Sequence, residues 1–312
     1  MLKRTLKAGA LAAAFVLPGL AFAQATPEAK PSDAKPEEAK PPYTLTGNFG
    51  FYSQYIFRGL SQTGRKPAAQ GGFDYAHESG FYAGTWASNI SWLKENATNA
   101  VPGTVQGTYG EGGSLEWDFY GGYKWNLPQD FVVDLGTLYY WYPGNINTNP
   151  LAAPSGTPKA DTWEIYVAPS WKWVSLKYSY SIKSDTFGVK DSKGTSYLDL
   201  SANYPITDTG ITLIAHWGWQ KYRGTSALNP TNTGGGIASN DQLFTYKDVK
   251  LGASYALPKD FTVGAYWTKL FNYNKAGYGG VGDGVTGLSV TSGPFPNDIG
   301  KSTGTIYVQK TF

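Results

Sequence analysis

In Leu115–Trp125, LEWDFYGGYKW, the residues Leu115, Trp117, Phe119, Gly121, Tyr123 and Trp125 share one parity, and Glu116, Asp118, Tyr120, Gly122 and Lys124 share the other. A period of two is that of a β-strand whose side chains alternate between two faces. The apolar face is rich in Trp and Phe and the opposite face carries charge, so the strand separates a greasy environment from a polar one. VKLGASYAL repeats the pattern, with Val249, Leu251, Ala253, Tyr255 and Leu257 opposite Lys250, Gly252, Ser254 and Ala256.

The alternation continues through FVVDLGTLYYW, WEIYVAPSWKW, VSLKYSYSIK, YLDLSANY, ITLIAHWGW and FTVGAYWTKLF. With NFGFYSQYIFRGL, AAQGGFDYAH, GFYAGTWASNI and the terminal GTIYVQKTF, the count reaches twelve strands of about 9–13 residues, the length at which a tilted strand crosses a bilayer. Short connections (near 79, 126–130, 173–174, 205–210 and 257–260) alternate with long ones (59–67, 91–113, 143–160, 184–194, 221–245 and 272–303). That rhythm is expected of an all-β, antiparallel, up-and-down transmembrane β-barrel with both termini on the short-turn side. A soluble sandwich would need a second layer to cover the apolar faces, and no helix-period segment supplies one. Only Lys269 and Lys310 fall on the apolar register, both near strand ends where a lysine can snorkel.

Composition agrees. The 312 residues include 39 Gly, 23 Tyr and 11 Trp against one Met and no Cys, which is β-protein usage. Without cysteine there is no lipoprotein attachment thiol, disulfide or thiolate metal site. Residues 1–23, MLKRTLKAGALAAAFVLPGLAFA, have the basic start, apolar run and small-residue ending of a secretory signal cleaved after Ala23. That segment holds three of the 26 basic residues (Lys3, Arg4, Lys7) and none of the 23 acidic ones, leaving 23 against 23. A neutral mature chain gives no ground for nucleic acid as a partner. Residues 24–42, rich in Pro, Ala, Glu and Lys, read as a disordered linker, a plain spacer or a tether to an envelope partner.

Two strands fit their register poorly. In GFYAGTWASNI the even positions Tyr82, Trp86 and Ile90 look more lipid-like than Phe81, Thr85 and Asn89, and Pro169 is expected to mark a bulge in strand six.

The C-terminal Phe312, with Ile306 and Val308 on its face, resembles the signal by which assembly machinery recognises outer-membrane barrels; Lys310 departs from it. The N-terminal block YIFRGLSQT, followed by PAAQGGFDYAH and GFYAGTWASNI, resembles the TorF-type porin family over residues 50–92, with looser similarity in strand pattern to the end. The resemblance implies an outer-membrane barrel of a Gram-negative bacterium with a channel role, and carries over no substrate and no site residues.

For the lumen, parity places Phe49, Phe51, Tyr55 and Phe57 toward lipid and Asn48, Tyr52, Gln54 and Arg58 inward, with Arg58 at the outer end of strand one. Twelve strands give a backbone radius of roughly 12 Å, less a side-chain layer of about 5 Å. The expected wall carries Asp74, Glu116, Asp118, Asp134, Glu164 and Asp199 with Arg58, Lys124, Lys172, Lys177, Lys183 and Lys250. Such a mixed wall either lines an open passage for small hydrophilic solutes or closes it as a salt-bridged network, and residues 272–303 either constrict the mouth or form an exposed loop. GYGGVGDG at 277–284 lacks the strand, helix and Gly-Lys-Ser/Thr context of a phosphate cradle. Neither His77 nor His216 stands in a nucleophile pattern, so no catalytic, cofactor or metal residues are expected. A passive channel requires none. The alternatives are a closed structural or adhesive barrel and, less in keeping with the sequence, a barrel enzyme.

Overall fold

The computed structural model describes residues 41–96, 107–150, 152–280, 283–288 and 293–312. The expected signal, 1–23, and all of the linker before residue 41 lie outside them.

Twelve strands close into an antiparallel barrel, each paired with its chain neighbours, and the first pairs with the last. They are β1 Tyr43–Tyr52, β2 Ala68–His77, β3 Phe81–Asn89, β4 Leu115–Leu127, β5 Phe131–Trp141 and β6 Thr162–Trp171. The second half is β7 Val174–Ser181, β8 Ser196–Pro205, β9 Ile211–Lys221, β10 Tyr246–Leu257, β11 Phe261–Phe271 and β12 Thr303–Thr311. Closure leaves no unpaired edge, the condition under which strands can cross hydrocarbon. Among the described residues the helices are single short turns in the long loops: α1 Trp92–Glu95, α2 Asn240–Phe244 and α3 Lys275–Tyr278.

The alternation in β4 is as read: Trp117, Phe119 and Trp125 are exposed outward while Glu116, Asp118 and Tyr120 are buried inside. Around the outside, Leu135, Ile165, Leu176, Leu200, Leu213, Leu251 and Ile306 form an apolar belt. Trp117, Trp141, Trp163, Trp219 and Trp267 ring it at the long-loop end, and Tyr43, Phe81, Trp125, Trp171, Trp173 and Tyr204 at the other. Two aromatic girdles flanking an apolar belt are the outer surface of a barrel seated in lipid. The girdle indoles are satisfied within the wall, as where Trp117 and Trp163 donate at 2.6 Å to the outward hydroxyls of Thr85 and Thr137. Leu251, 55% exposed at the middle of β10, sets the scale. Leu251→Arg should cost about 2–4 kcal/mol in urea titrations of refolding into lipid vesicles, whereas arginine at Tyr43, at a strand end, should cost about 0–1 kcal/mol.

Several local expectations are corrected. Strand one stops at Tyr52 instead of running to Arg58. In β3 the even positions Tyr82 and Trp86 face inward with Ile90 following, and Phe81, Thr85 and Asn89 face out, because the interior is itself aromatic: Trp86 packs edge-on to Tyr55, centroids 5.4 Å apart. Pro169 makes no bulge. Its register with β5 is unbroken, and pairing with β7 stops at Val167 and resumes at Ser170 in the same register, so the missing N–H only opens a gap in the ladder. β10 begins at Tyr246, which puts Lys247 on the outward face over the Trp219 ring and Asp248 inside.

Candidate functional site

Residues 53–67, after β1, turn into the barrel. Ile56–Phe57 and Leu60–Ser61 pair as a two-stranded hairpin whose tip is Arg58–Gly59. Both tip residues have positive φ, +45° and +79°. This two-residue turn matches strand twist, and Gly59 adopts it without the steric penalty a side chain would bring. Arg58 adopts it against a cost of about 1–2 kcal/mol, and its side-chain bonds offset that cost.

Those bonds span the lumen. Arg58 donates from Nη1 to Glu164 Oε1 at 3.0 Å and from Nη2 to Glu164 Oε2 at 2.7 Å, a bidentate clamp onto β6. Nη1 also donates to Gln220 Oε1 of β9 at 2.9 Å. The guanidinium lies 4.2 Å from the centre of the Tyr197 ring on β8 and 4.8 Å from that of Phe57. The two ion-pair side chains are only 7% and 2% exposed, so the pair is closed off from bulk water. Above it, Tyr55 donates to Glu116 Oε1 at 2.6 Å, and Gln54 donates to Thr303 Oγ1 and the Gly304 carbonyl at 2.8 Å. Tyr55 and Phe57, expected in lipid, are therefore core residues of the plug, 1% and 8% exposed. Arg58 sits at the tip of this plug and not at the outer end of strand one.

The wall around the tip is a second network. The ring of His216 on β9 faces Asp248 Oδ2 through Nε2 at 2.9 Å and Asp199 Oδ1 through Nδ1 at 3.2 Å, with Ser201 Oγ 3.1 Å from Nδ1. Tyr197 donates to Asp248 Oδ1 at 2.9 Å. Serine, histidine and carboxylate meet here, but the Ser201 hydroxyl donates to Asp199 Oδ1 at 2.5 Å, and the space beside it is about 70 Å³. That holds a few waters and no acyl substrate.

Toward the short-turn end, the expected wall residues fall into aromatic pairs. Asp134 and the Tyr166 hydroxyl both meet the Tyr82 hydroxyl, Asp74 accepts from Tyr120 at 2.6 Å, and Lys124, Lys177 and Lys250 lie over the rings of Tyr82, Tyr166 and Tyr266. Glu116, Asp118, Glu164 and Asp199 also face inward. Two expectations fail. Lys172 is exposed in the tight β6–β7 turn at φ +52°, over the Trp171 ring, because a two-residue connection takes it out of strand alternation. Lys183 lies beyond the end of β7, where it donates to the Asp161 carbonyl at 2.8 Å. With Asp248 added and these two lysines removed, inward carboxylates outnumber cations.

The long loops close over the plug. Leu60 of the hairpin packs with Tyr246, Leu270, Tyr278, Phe295 and Ile299, so the stretches of 272–303 around Tyr278 and at 295–299 fold inward over the mouth, while residues 283–288 stay half-buried to exposed. Backbone bonds tie the hairpin to this cap and to α1: Ser61 N–H to the Ile299 carbonyl at 2.9 Å, and Ser91 N–H to the Gln62 carbonyl at 2.8 Å. Between plug and loops lies a cavity of about 480 Å³, lined by Phe57 and Leu60 below and by residues of five long loops around and above.

A family model described as "Bacterial protein of unknown function (Gcw_chp)" matches residues 36–312, and the chain belongs to that family. No curated protein matches it. Among solved structures it is similar to the KdgM porin, with 9% identity and a TM-score of 0.43 over 86% of this chain and 99% of that one. It is similar to an outer membrane channel from Pseudomonas putida F1 at 10% identity and TM-score 0.44, over 90% of this chain and all of that one (100%). For the P. putida toluene transporter TodX the values are 10% and 0.40, over 88% and 90% of the two chains. Likenesses this distant add nothing to the strand topology already described.

Proposed function

We propose that this chain is a porin-like channel of the TorF type, exported through its N-terminal signal to the outer membrane of a Gram-negative bacterium. There it passes small hydrophilic solutes by passive diffusion when the Ile56–Ser61 hairpin leaves the lumen. One observation carries this reading: the wall closes without the hairpin. β1 pairs directly with β2 on one side and β12 on the other, and the hairpin tip meets the wall through side chains such as Arg58 and Tyr55. A stopper that contributes nothing to the ladder can withdraw with the barrel intact. Once it does, Arg58 leaves with the tip, and Asp74, Glu116, Asp118, Lys124, Asp134, Glu164, Lys177, Asp199 and Lys250, joined by Asp248, line the passage. Sieving by size, tuned by this mixed wall, is the mechanism, with no energy source or cofactor and with assembly machinery engaged only during insertion.

A closed structural barrel is the second reading, favoured by the thoroughness with which Arg58 and His216 are paired inside. Liposome swelling separates the two. Protein in which residues 54–62 are replaced by a short glycine linker should admit small sugars at least tenfold faster than the full chain. If that variant is folded by circular dichroism and shifts its gel mobility on heating, yet admits nothing, the wall itself closes the lumen and the structural reading stands.

A further inference from the structure

The cavity above the plug has a composition that the passage of hydrophilic solutes does not explain. Its walls are aromatic: Phe57 from the hairpin, Trp92 of α1 and Tyr109 from the β3–β4 loop, Tyr142 from the β5–β6 loop, Phe187 from the β7–β8 loop, and Tyr278 of α3. At about 480 Å³ it lies inside the range of roughly 300–1,000 Å³ occupied by small-molecule sites. Among the described lining residues the one charged side chain is Lys190, carried on the β7–β8 loop beside Phe187. No carboxylate of the described residues forms an ion pair with it; its Nζ lies beside Gly156 of the β5–β6 loop, next in sequence to the lining residues Thr157 and Pro158. Around the aromatic walls stand a few neutral polar groups, among them Gln62, Asn96 and Asn229.

We infer that this cavity is a binding site for a small aromatic carboxylate, its ring held among Phe57, Trp92, Phe187 and Tyr278 and its anionic group held by the Lys190 ammonium. Aromatic faces supply most of the affinity by burying the ring. A lone cation on a wall free of acids selects a ligand with one negative charge, because a cationic ligand meets repulsion there and a neutral one gains nothing from Lys190. Ring hydroxyls would find partners in Gln62, Asn96 or Asn229. The site rests on the plug, since its floor residue Phe57 precedes Arg58. Binding needs only the seated plug, so it is measured on the closed protein whether or not the lumen below ever opens.

The test is calorimetric, on the full chain in phospholipid nanodiscs with empty nanodiscs as the reference. The probes are 2-naphthoate, the neutral 2-naphthamide and the cation 2-(aminomethyl)naphthalene. Naphthoate should bind at least tenfold more tightly than the amide, and Lys190→Met should abolish that preference while leaving amide binding within about twofold. Lys190→Glu should reverse the order and favour the cation, an outcome that a misfolded loop cannot produce. Ala276→Trp, which fills the cavity from α3, should abolish binding of all three. Heat equal to that of empty nanodiscs overturns the proposal, as does a naphthoate preference that survives Lys190→Met, or binding that survives Ala276→Trp. None of these readouts depends on conductance, so failure of the channel reading leaves this result standing, and the reverse.

Discussion

Glu164→Ala should drive the hairpin out of the barrel. Removing one partner of a buried ion pair leaves the other charge dry and uncompensated, at a cost of about 3–5 kcal/mol. The Arg58 guanidinium can escape that cost only by regaining water, and the route open to it is withdrawal of the tip toward the mouth. A penalty of this size approaches the ~5.5 kcal/mol that carries a two-state equilibrium from 1:99 to 99:1. The seated form should therefore fall from nearly the whole population to a minority. Trypsin added outside the vesicles reads the change, since Arg58 and Arg65 both belong to this segment. Wild-type chain should resist cleavage at Arg58, while the variant should be cut there at least a hundredfold faster with its barrel still showing heat-shifted mobility. Unchanged cleavage would mean that Tyr55, Gln54 and the loop contacts seat the hairpin without the clamp.

Arg58→Ala should produce the second large effect, in current instead of proteolysis. The bidentate clamp, the Gln220 bond and the stacking on Tyr197 disappear together, and Glu164 is left without its bidentate partner. Water entering to solvate it widens the path. Planar-bilayer recordings should show long-lived steps at least tenfold more frequent than in wild type. Because Asp248 joins the inner wall while Lys172 and Lys183 do not belong to it, the current should favour potassium over chloride. Steps as rare as wild type, or a preference for chloride, would remove Arg58 from the closing mechanism or overturn the charge inventory of the wall.

Most of the barrel was legible from alternation because lipid and lumen impose opposite chemistries on adjacent residues. Trp117 beside Asp118 leaves no doubt about which side is which. The plug was illegible for the converse reason. Tyr55 and Phe57 continue the parity of Phe49 and Phe51, and an aromatic side chain packs equally well against hydrocarbon or against other rings. The same degeneracy misdirected the reading of Tyr82 and Trp86. A local signal existed in Ser53, a polar residue on what would be the lipid register, and in Gly59, a left-handed turn former directly after Arg58. Lys172 was misplaced by counting parity through a turn, and Asp248 was passed over because the apolar rhythm of β10 is clear only from Val249 onward. The pairing of Arg58 with Glu164 joins residues 106 positions apart, a distance no local pattern spans.

Because the sheet seals between β1 and β12 with no help from the hairpin, pore and stopper are separable parts. Insertion into the bilayer can be complete before the stopper seats, and late seating leaves the finished wall unaffected. The hairpin at 56–61 thus acts as an exchangeable cartridge, while Ser53 and Gln54 before it stay bonded to β12. Grafting other sequences there offers a way to make nanopores of one fixed diameter with individually chosen closures.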